Sequence, residues 1–201
     1  MTRAIVSIRT KDSFWHPLWD RYYRPHFHHV EIIHVGSSYS LPFSKMTELL
    51  NKAIDNLMET FDQVVCADTD EFLVPDPDKY RDLGDYLDQN NEQVVRCVGY
   101  DVMEMLNQKP VDIDRMVTES RTMWTRNMTY DKPVIMRRKI TYTAGQHYCN
   151  CPTVQDKDLY MLHMRYADIK SLLMRRSRID LKSLTDEQRR AEPIPEKWRV
   201  I

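Results

Sequence analysis

Glycine is scarce. The 201 residues include only four, which excludes a phosphate cradle built from a Gly-rich loop. No segment approaches the roughly 20 consecutive apolar residues of a membrane-spanning helix. The apolar run from Ala4 to Ile8 is also too short for a signal peptide. Charge of one sign is missing too: 29 Lys and Arg face 30 Asp and Glu, a net charge of −1. A chain without a global field has no electrostatic reason to bind nucleic acid or an anionic membrane. The four cysteines are Cys66, Cys97, Cys149 and Cys151. Two of them lie in strand-like apolar runs, which suggests reduced, buried thiols in a cytoplasmic protein. His147-Tyr-Cys149-Asn-Cys151 has no second Cys/His pair at finger-like spacing, which argues against a zinc site.

What is present centres on Val64-Val65-Cys66-Ala67-Asp68-Thr69-Asp70-Glu71-Phe72. A short apolar run, β-branched at its start, reads as a buried central strand. It leads straight into two carboxylates one residue apart. In an extended segment, residues i and i+2 share a side. Asp68 and Asp70 would then face one way at the strand's carboxyl end, with Thr69 turned away. Open α/β sheets bind ligands at that end. Carboxylates this close repel unless a proton or cation sits between them. A hard divalent ion with room for phosphate oxygens suits such a pair.

The length supports one substantial core. Residues 4–8 read as a first strand and 14–27 as an aromatic-rich helix, with Pro17 near its start. Residues 30–35 read as a second strand. From Ser44, Met46, Leu49, Leu50, Ala53, Ile54, Leu57, Met58 and Phe61 make an unbroken i, i+3, i+4 stripe, a helix that feeds the Asp68 strand. Strand, helix, strand, helix, strand implies right-handed βαβ crossovers and a mostly parallel sheet. Further on, 80–87 reads as a helix and 93–100 as a strand. Residues 101–130 read as an irregular insertion. Residues 133–136, 141–143 and 158–166 read as strands. Ile169, Leu172, Leu173 and Ile179 mark a helix with Arg175, Arg176 and Arg178 on a basic face. Thr185 and Gln188 have capping-box spacing for a last short helix, and the chain ends in an extended, linker-like stretch.

Asp68-Thr-Asp70-Glu-Phe72 resembles the D-x-D-E-F variant of the metal motif in glycosyltransferase-2-like enzymes of the GT-A fold. Lys45 with Asn51, Phe61-Asp-Gln-Val-Val, Leu73-Val-Pro-Asp-Pro, Asp131-Lys132-Pro133, Gly145-Gln-His147 and Leu159-Tyr-Met-Leu-His163-Met-Arg-Tyr-Ala-Asp168 look like other landmarks of that family. The resemblance covers residues 30–170, least well at 101–130. It implies an α/β, GT-A fold with a mixed, mostly parallel central sheet flanked by helices. One catalytic domain would span 1–190, with 1–70 as the nucleotide-binding half and 71–190 as the acceptor half. Residues 191–201 would be a tail, leading to further domains if the parent chain is longer. The resemblance also implies a nucleotide-diphospho-sugar donor, UDP-sugar by default, a glycan or other hydroxyl acceptor, and Mn²⁺ or Mg²⁺.

On that resemblance Asp68 and Asp70 anchor the ion. His163, borne rigidly on a strand, is the third ligand, and His147 is the second choice or a donor contact. Arg9, Thr10, Lys11 and Asp12 follow the first strand, where such enzymes hold base and ribose; a solvated turn is the plainer alternative. Lys45 could meet the diphosphate, or be a surface lysine at a helix start. An inverting transferase needs a carboxylate base at the acceptor hydroxyl. Asp101 is the nominee, with Glu104, Glu119 and Asp156 as rivals. Two other functions compete. One is a nucleotide-sugar-binding module without catalysis. The other is a phosphatase of the haloacid dehalogenase type, with Asp68 as nucleophile and Gly84-Asp85-Tyr-Leu-Asp88 as its later acidic motif.

Overall fold

The structure is a computed structural model, and it describes residues 1–10, 13–36, 41–105 and 107–177. The described residues form an α/β fold around one mixed sheet of eight strands, in the order β2-β1-β3-β7-β5-β8-β4 with β6 added beside β5. The strands are β1 (Arg3–Arg9), β2 (His29–His34), β3 (Gln63–Cys66), β4 (Glu71–Pro75), β5 (Val94–Met103), β6 (Met123–Arg126), β7 (Pro133–Met136) and β8 (Val154–Tyr166). The helices are α1 (His16–Tyr23), α2 (Phe43–Leu57), α3 (Leu83–Gln89) and α4 (Ile169–Ser177). Among the described residues no helix is long and apolar enough to cross a membrane.

The apolar runs of β1, β3 and β7 are buried on both faces, and alternation divides them between two cores. Ile5, Val65 and Ile135 join the core under α1 and α3, with Trp19, Tyr23, Leu83 and Leu87. Ala4, Val6, Val64, Cys66 and Met136 join the core under α2, with Leu50 and Ile54. The α2 stripe therefore does what its spacing predicts: Thr47, Leu50, Ile54 and Leu57 are its buried residues. In α1, Pro17 occupies the first turn, where its missing N–H is no loss. Tyr23 at its end reaches across to β4: its hydroxyl accepts from Leu73 N–H at 2.7 Å and donates to the Glu71 carbonyl at 3.1 Å.

The β1-α1-β2 and α2-β3 units place β2 and β3 on opposite sides of β1, both parallel to it. The strand order thus reverses at β1. A crevice outside the carboxyl ends of β1 and β3 follows from that topology.

The expectation of a mostly parallel sheet needs correcting. Beyond the first three strands, only β5 and β8 pair in parallel. The pairs β3–β7, β5–β7, β5–β6 and β4–β8 are antiparallel. β7 follows β6 after a short segment and runs in the same direction, both antiparallel to β5. The stretch read as an irregular insertion contains the end of β5, all of β6, and 3-10 turns at Val117–Glu119 and Met128–Tyr130. The strand expected at 141–143 is reduced to one bridge, Tyr142 to Cys149. Residues 71–75 form β4, a strand that the sequence reading did not separate from the acidic motif. The C-terminal helix is seen as Ile169–Ser177. Its expected basic face, the helix near 185 and the tail lie outside what is described.

Candidate active site

β3 ends at Cys66, two residues before Asp68. Residues 68–71 are a turn, not an extension of the strand: Glu71 N–H donates to the Asp68 carbonyl at 2.9 Å. The Glu71 carboxylate reaches back to accept Asp68 N–H, also at 2.9 Å. The same-side geometry expected of an extended segment therefore does not apply. Thr69 is not turned away from the site either. It is 7% exposed, accepts a hydrogen bond from the Ser13 hydroxyl at 2.6 Å, and lines the same cleft as Asp68 and Asp70.

That cleft has a volume of about 650 Å³ and opens at the ends of β1 and β3, a size typical of small-molecule sites. Because β7 runs antiparallel to β3, the residue preceding β7 arrives beside the end of β3. That residue is Lys132. Its ammonium lies 2.8 Å from the Glu71 carboxylate and 3.9 Å from Asp68, with the Lys132 and Glu71 side chains 4% and 2% exposed. Burial opposes the charge on Lys132, but Glu71 and then Asp68 outweigh it and raise its pKa. The Asp68 carboxyl is pushed above the usual carboxylate range. Its partial desolvation in the cleft is the main cause, against the pull of Lys132 and with added repulsion from Glu71 and Asp70.

Sheet register assembles the other half of the site. His163 on β8 lies opposite Glu71 of β4 and beside Asp101 of β5. Its Nδ1 is 2.7 Å from Asp101 Oδ1, and its Nε2 is 3.6 Å from Asp70 Oδ2. A carboxylate at Nδ1 fixes the ring orientation and leaves Nε2 directed at Asp70. Tyr130 stacks on the imidazole with ring centroids 4.0 Å apart. Burial disfavours a charged ring, but the hydrogen bonds to Asp101 and Asp70 outweigh it and raise the His163 pKa. The second oxygen of Asp101 accepts from the Asn127 amide at 2.7 Å.

Gly99 makes this packing possible. A Cβ there would fall 2.4 Å from Tyr130 Cβ and 2.7 Å from the Asn127 carbonyl oxygen. Only glycine lets the 127–130 turn lie so close on β5. On the far rim, Gly145 and Gln146 adopt consecutive left-handed conformations, with φ of 80° and 63°. Such a value is uncommon for glutamine. Gln146 is buried, and its side-chain oxygen accepts from the Cys66 thiol at 3.8 Å. His147 follows, its Nδ1 2.8 Å from the Thr129 carbonyl.

The structure thus brings Asp68, Asp70, His163, His147 and Thr10 to one cleft. Lys11 and Asp12 lie outside the described residues. Arg9 and Lys45 are not among the residues lining the cleft. Arg9 contributes its carbonyl to Val35 N–H, and Lys45 pairs with Glu48 at 2.8 Å on an exposed turn of α2. Asp101 stands behind His163 and does not line the cleft. Its rivals are engaged elsewhere: Glu104 with Arg121 and Ile169 N–H, Glu119 with Met116 N–H, and Asp156 with Tyr86 and Asn90. Asp85 and Asp88, the acids of the phosphatase alternative, lie on α3. Asp88 pairs with Arg3, and Asp85 accepts from Arg81 N–H. Sequence reasoning gave no role to Lys132, Arg165, Tyr130 or Asn127, all of which line the cleft. Lys132 was visible only as part of the Asp-Lys-Pro landmark, and nothing local marks a lysine as buried.

Asp68, Asp70 and His163 offer two carboxylates and an imidazole backed by a carboxylate, a donor set that fits Mn²⁺ or Mg²⁺. Among the described residues no three His, Cys, Asp or Glu side chains already converge as a metal-binding group. No protein-family model matches the chain, and no curated protein matches it.

Proposed function

We propose that the protein is a metal-dependent glycosyltransferase of the GT-A type, moving a sugar from a nucleotide-diphospho-sugar, UDP-sugar by default, to a glycan or other hydroxyl acceptor. One observation carries the reading. The Asp68–Asp70 turn at the end of β3 shares a cleft with His163, whose Nε2 lies 3.6 Å from Asp70 and whose Nδ1 is held by Asp101. Asp68, Asp70 and His163 would hold Mn²⁺ or Mg²⁺, which when bound offsets the charge developing on the diphosphate leaving group. The reversal of strand order at β1 supports the GT-A reading, since it opens the crevice where a nucleotide can lie.

The chain's own residues set up the rest. Glu71 locks the turn by accepting Asp68 N–H, and Lys132 neutralises Glu71. Arg165 lines the cleft and puts positive charge beside the carboxylates, which suits a diphosphate. Both oxygens of Asp101 are engaged, by His163 and Asn127. We assign it the positioning of His163, not proton abstraction from the acceptor.

A second reading, a nucleotide-sugar-binding module without catalysis, has a specific observation in its favour. Among the described residues, the carboxylates lining the cleft are Asp68, Asp70 and Glu71, all on the metal side. Metal-dependent hydrolysis of the donor, even slow, would count against that reading.

Calorimetry and thermal shift with UDP-, GDP- and dTDP-sugars, with and without Mn²⁺, test both. Saturating ligand at a hundredfold excess over Kd stabilises by about 2.7 kcal/mol. Binding should require the ion and weaken at least about tenfold, or 1.4 kcal/mol, in Asp70→Asn or His163→Gln. Metal-independent binding, unchanged in Asp68→Asn and Asp70→Asn, would overturn the proposal.

A further inference from the structure

Cys149 and Cys151 stand apart from the other two cysteines. Cys66 and Cys97 are buried in the sheet, while Cys149 and Cys151 are half-buried and free. Their sulfurs are 3.6 Å apart. They sit at the neck of a tight hairpin. Tyr142 bridges to Cys149, Thr143 N–H donates to the Tyr148 carbonyl at 2.9 Å, and Asn150 N–H donates to the Thr141 carbonyl at 3.1 Å. The Asn150 side chain in turn accepts from Thr141 N–H at 2.8 Å. Asn51 of α2 pins the hairpin through both backbone polar groups of Tyr142. The tip of this hairpin is Gly145-Gln146-His147, which lines the cleft.

We infer that Cys149 and Cys151 form a thiol–disulfide exchange site for small-molecule disulfides, and that its oxidation state is transmitted to the cleft through the hairpin. This inference does not depend on the proposed transfer reaction. Either thiol, once deprotonated, attacks one sulfur of the small disulfide and expels a small thiolate. The second thiol then loses its proton and attacks the protein-bound sulfur, expelling the other small thiolate. Two protein thiols become one disulfide, and the small disulfide becomes two thiols that carry away both protons. A bonded pair sits about 2.05 Å apart, so the sulfurs must approach beyond the observed 3.6 Å. Asn150 alone lies between them. Its backbone must absorb the movement, and both hydrogen bonds to Thr141 run through that residue. Burial and the neighbouring Cys149 thiol raise the Cys151 pKa, which lowers its thiolate fraction and slows its attack on a disulfide.

The test is incubation of the folded protein with excess oxidised glutathione, an acid quench, intact mass and peptide mapping. The wild type should lose two hydrogens, retain no glutathione, and map a Cys149–Cys151 link. Cys149→Ser and Cys151→Ser should each keep one glutathione. Cys66 and Cys97 should stay unmodified in every sample. Hydrogen exchange over 141–150 should rise on oxidation and return with dithiothreitol. Glutathione retained on the wild type, no reaction at either cysteine, or a link that leaves exchange over 141–150 unchanged would each overturn the inference. The wild-type result decides the chemistry even if a serine variant fails to fold.

Discussion

Replacing Lys132 by Met leaves the Glu71 carboxylate buried without its cation. The two side chains are 4% and 2% exposed and 2.8 Å apart, so little solvent screens them. Removing one partner of a buried ion pair costs about 3–5 kcal/mol, because the other charge stays desolvated and unmatched. In a domain of this size each kcal/mol shifts Tm by about 2–4 °C, so a fall on the order of 10 °C is expected. Glu71→Gln alone strands the ammonium instead, although Asp68 at 3.9 Å remains as a weaker partner. The double variant Lys132→Met with Glu71→Gln removes both charges. The amide oxygen that replaces the Glu71 carboxylate can still accept Asp68 N–H, which keeps the turn closed. The double variant should therefore lose about 2–3 kcal/mol less than the two single losses added together, within the range of coupling found for contacting residues. Urea unfolding of all four proteins with a common m-value measures this. Single losses that simply add, to within about 0.5 kcal/mol, would refute a coupled buried pair at this position.

Three further outcomes follow from the same contacts. Asp101→Asn should weaken Mn²⁺ affinity about 10–100-fold by calorimetry, as loss of a partner behind a ligating histidine does, while the sheet keeps its stability to within about 1–2 kcal/mol. Gly99→Ala should cost about 1–3 kcal/mol through overpacking against the 127–130 turn and lower metal affinity with it, since that turn carries Asn127 and Tyr130; an unchanged Tm would refute the close approach. Asp168 accepts from Ser171 N–H at 2.7 Å, the Ser171 hydroxyl at 2.8 Å and Val111 N–H at 3.1 Å. Burial raises its carboxyl, but these bonds outweigh it and hold the pKa below its ordinary value. Its stabilisation is therefore complete above the unfolded value of about 4 and is lost as pH falls through the lower folded value. Asp168→Asn should cost about 2 kcal/mol at pH 7, with the gap from wild type closing in acid; a pH-independent gap would refute the charged cap.

The half of the fold made by local pattern was legible in the sequence. The α2 stripe and the apolar runs of β1 and β3 carry their structure in their spacing, and together they fix the reversal at β1 and hence where the cleft opens. In the other half, β5, β7 and β8 are legible as the strands read at 93–100, 133–136 and 158–166, but their pairing is not, and β4 and β6 are not read as strands at all. β4, β6 and β7 are short, and their partners are set by register with distant strands, such as Glu71 opposite His163. Nothing in Met123–Arg126 signals a strand, since all four residues are exposed.

The same division runs through the candidate site. The two aspartates could be found because they are adjacent in sequence. The groups that tune them come from far away along the chain: Lys132 arrives with β7, His163 with β8 and Asp101 with β5. A carboxylate on a strand after the acidic motif looks like a base until β8 is laid beside β5. Then one of its oxygens lies 2.7 Å from an imidazole nitrogen, and the other accepts from Asn127, also at 2.7 Å. Roles of this kind depend on which side chains share a row across the sheet. They are as legible as the strand pairing, and here only the parallel pairings of β1 were readable in advance.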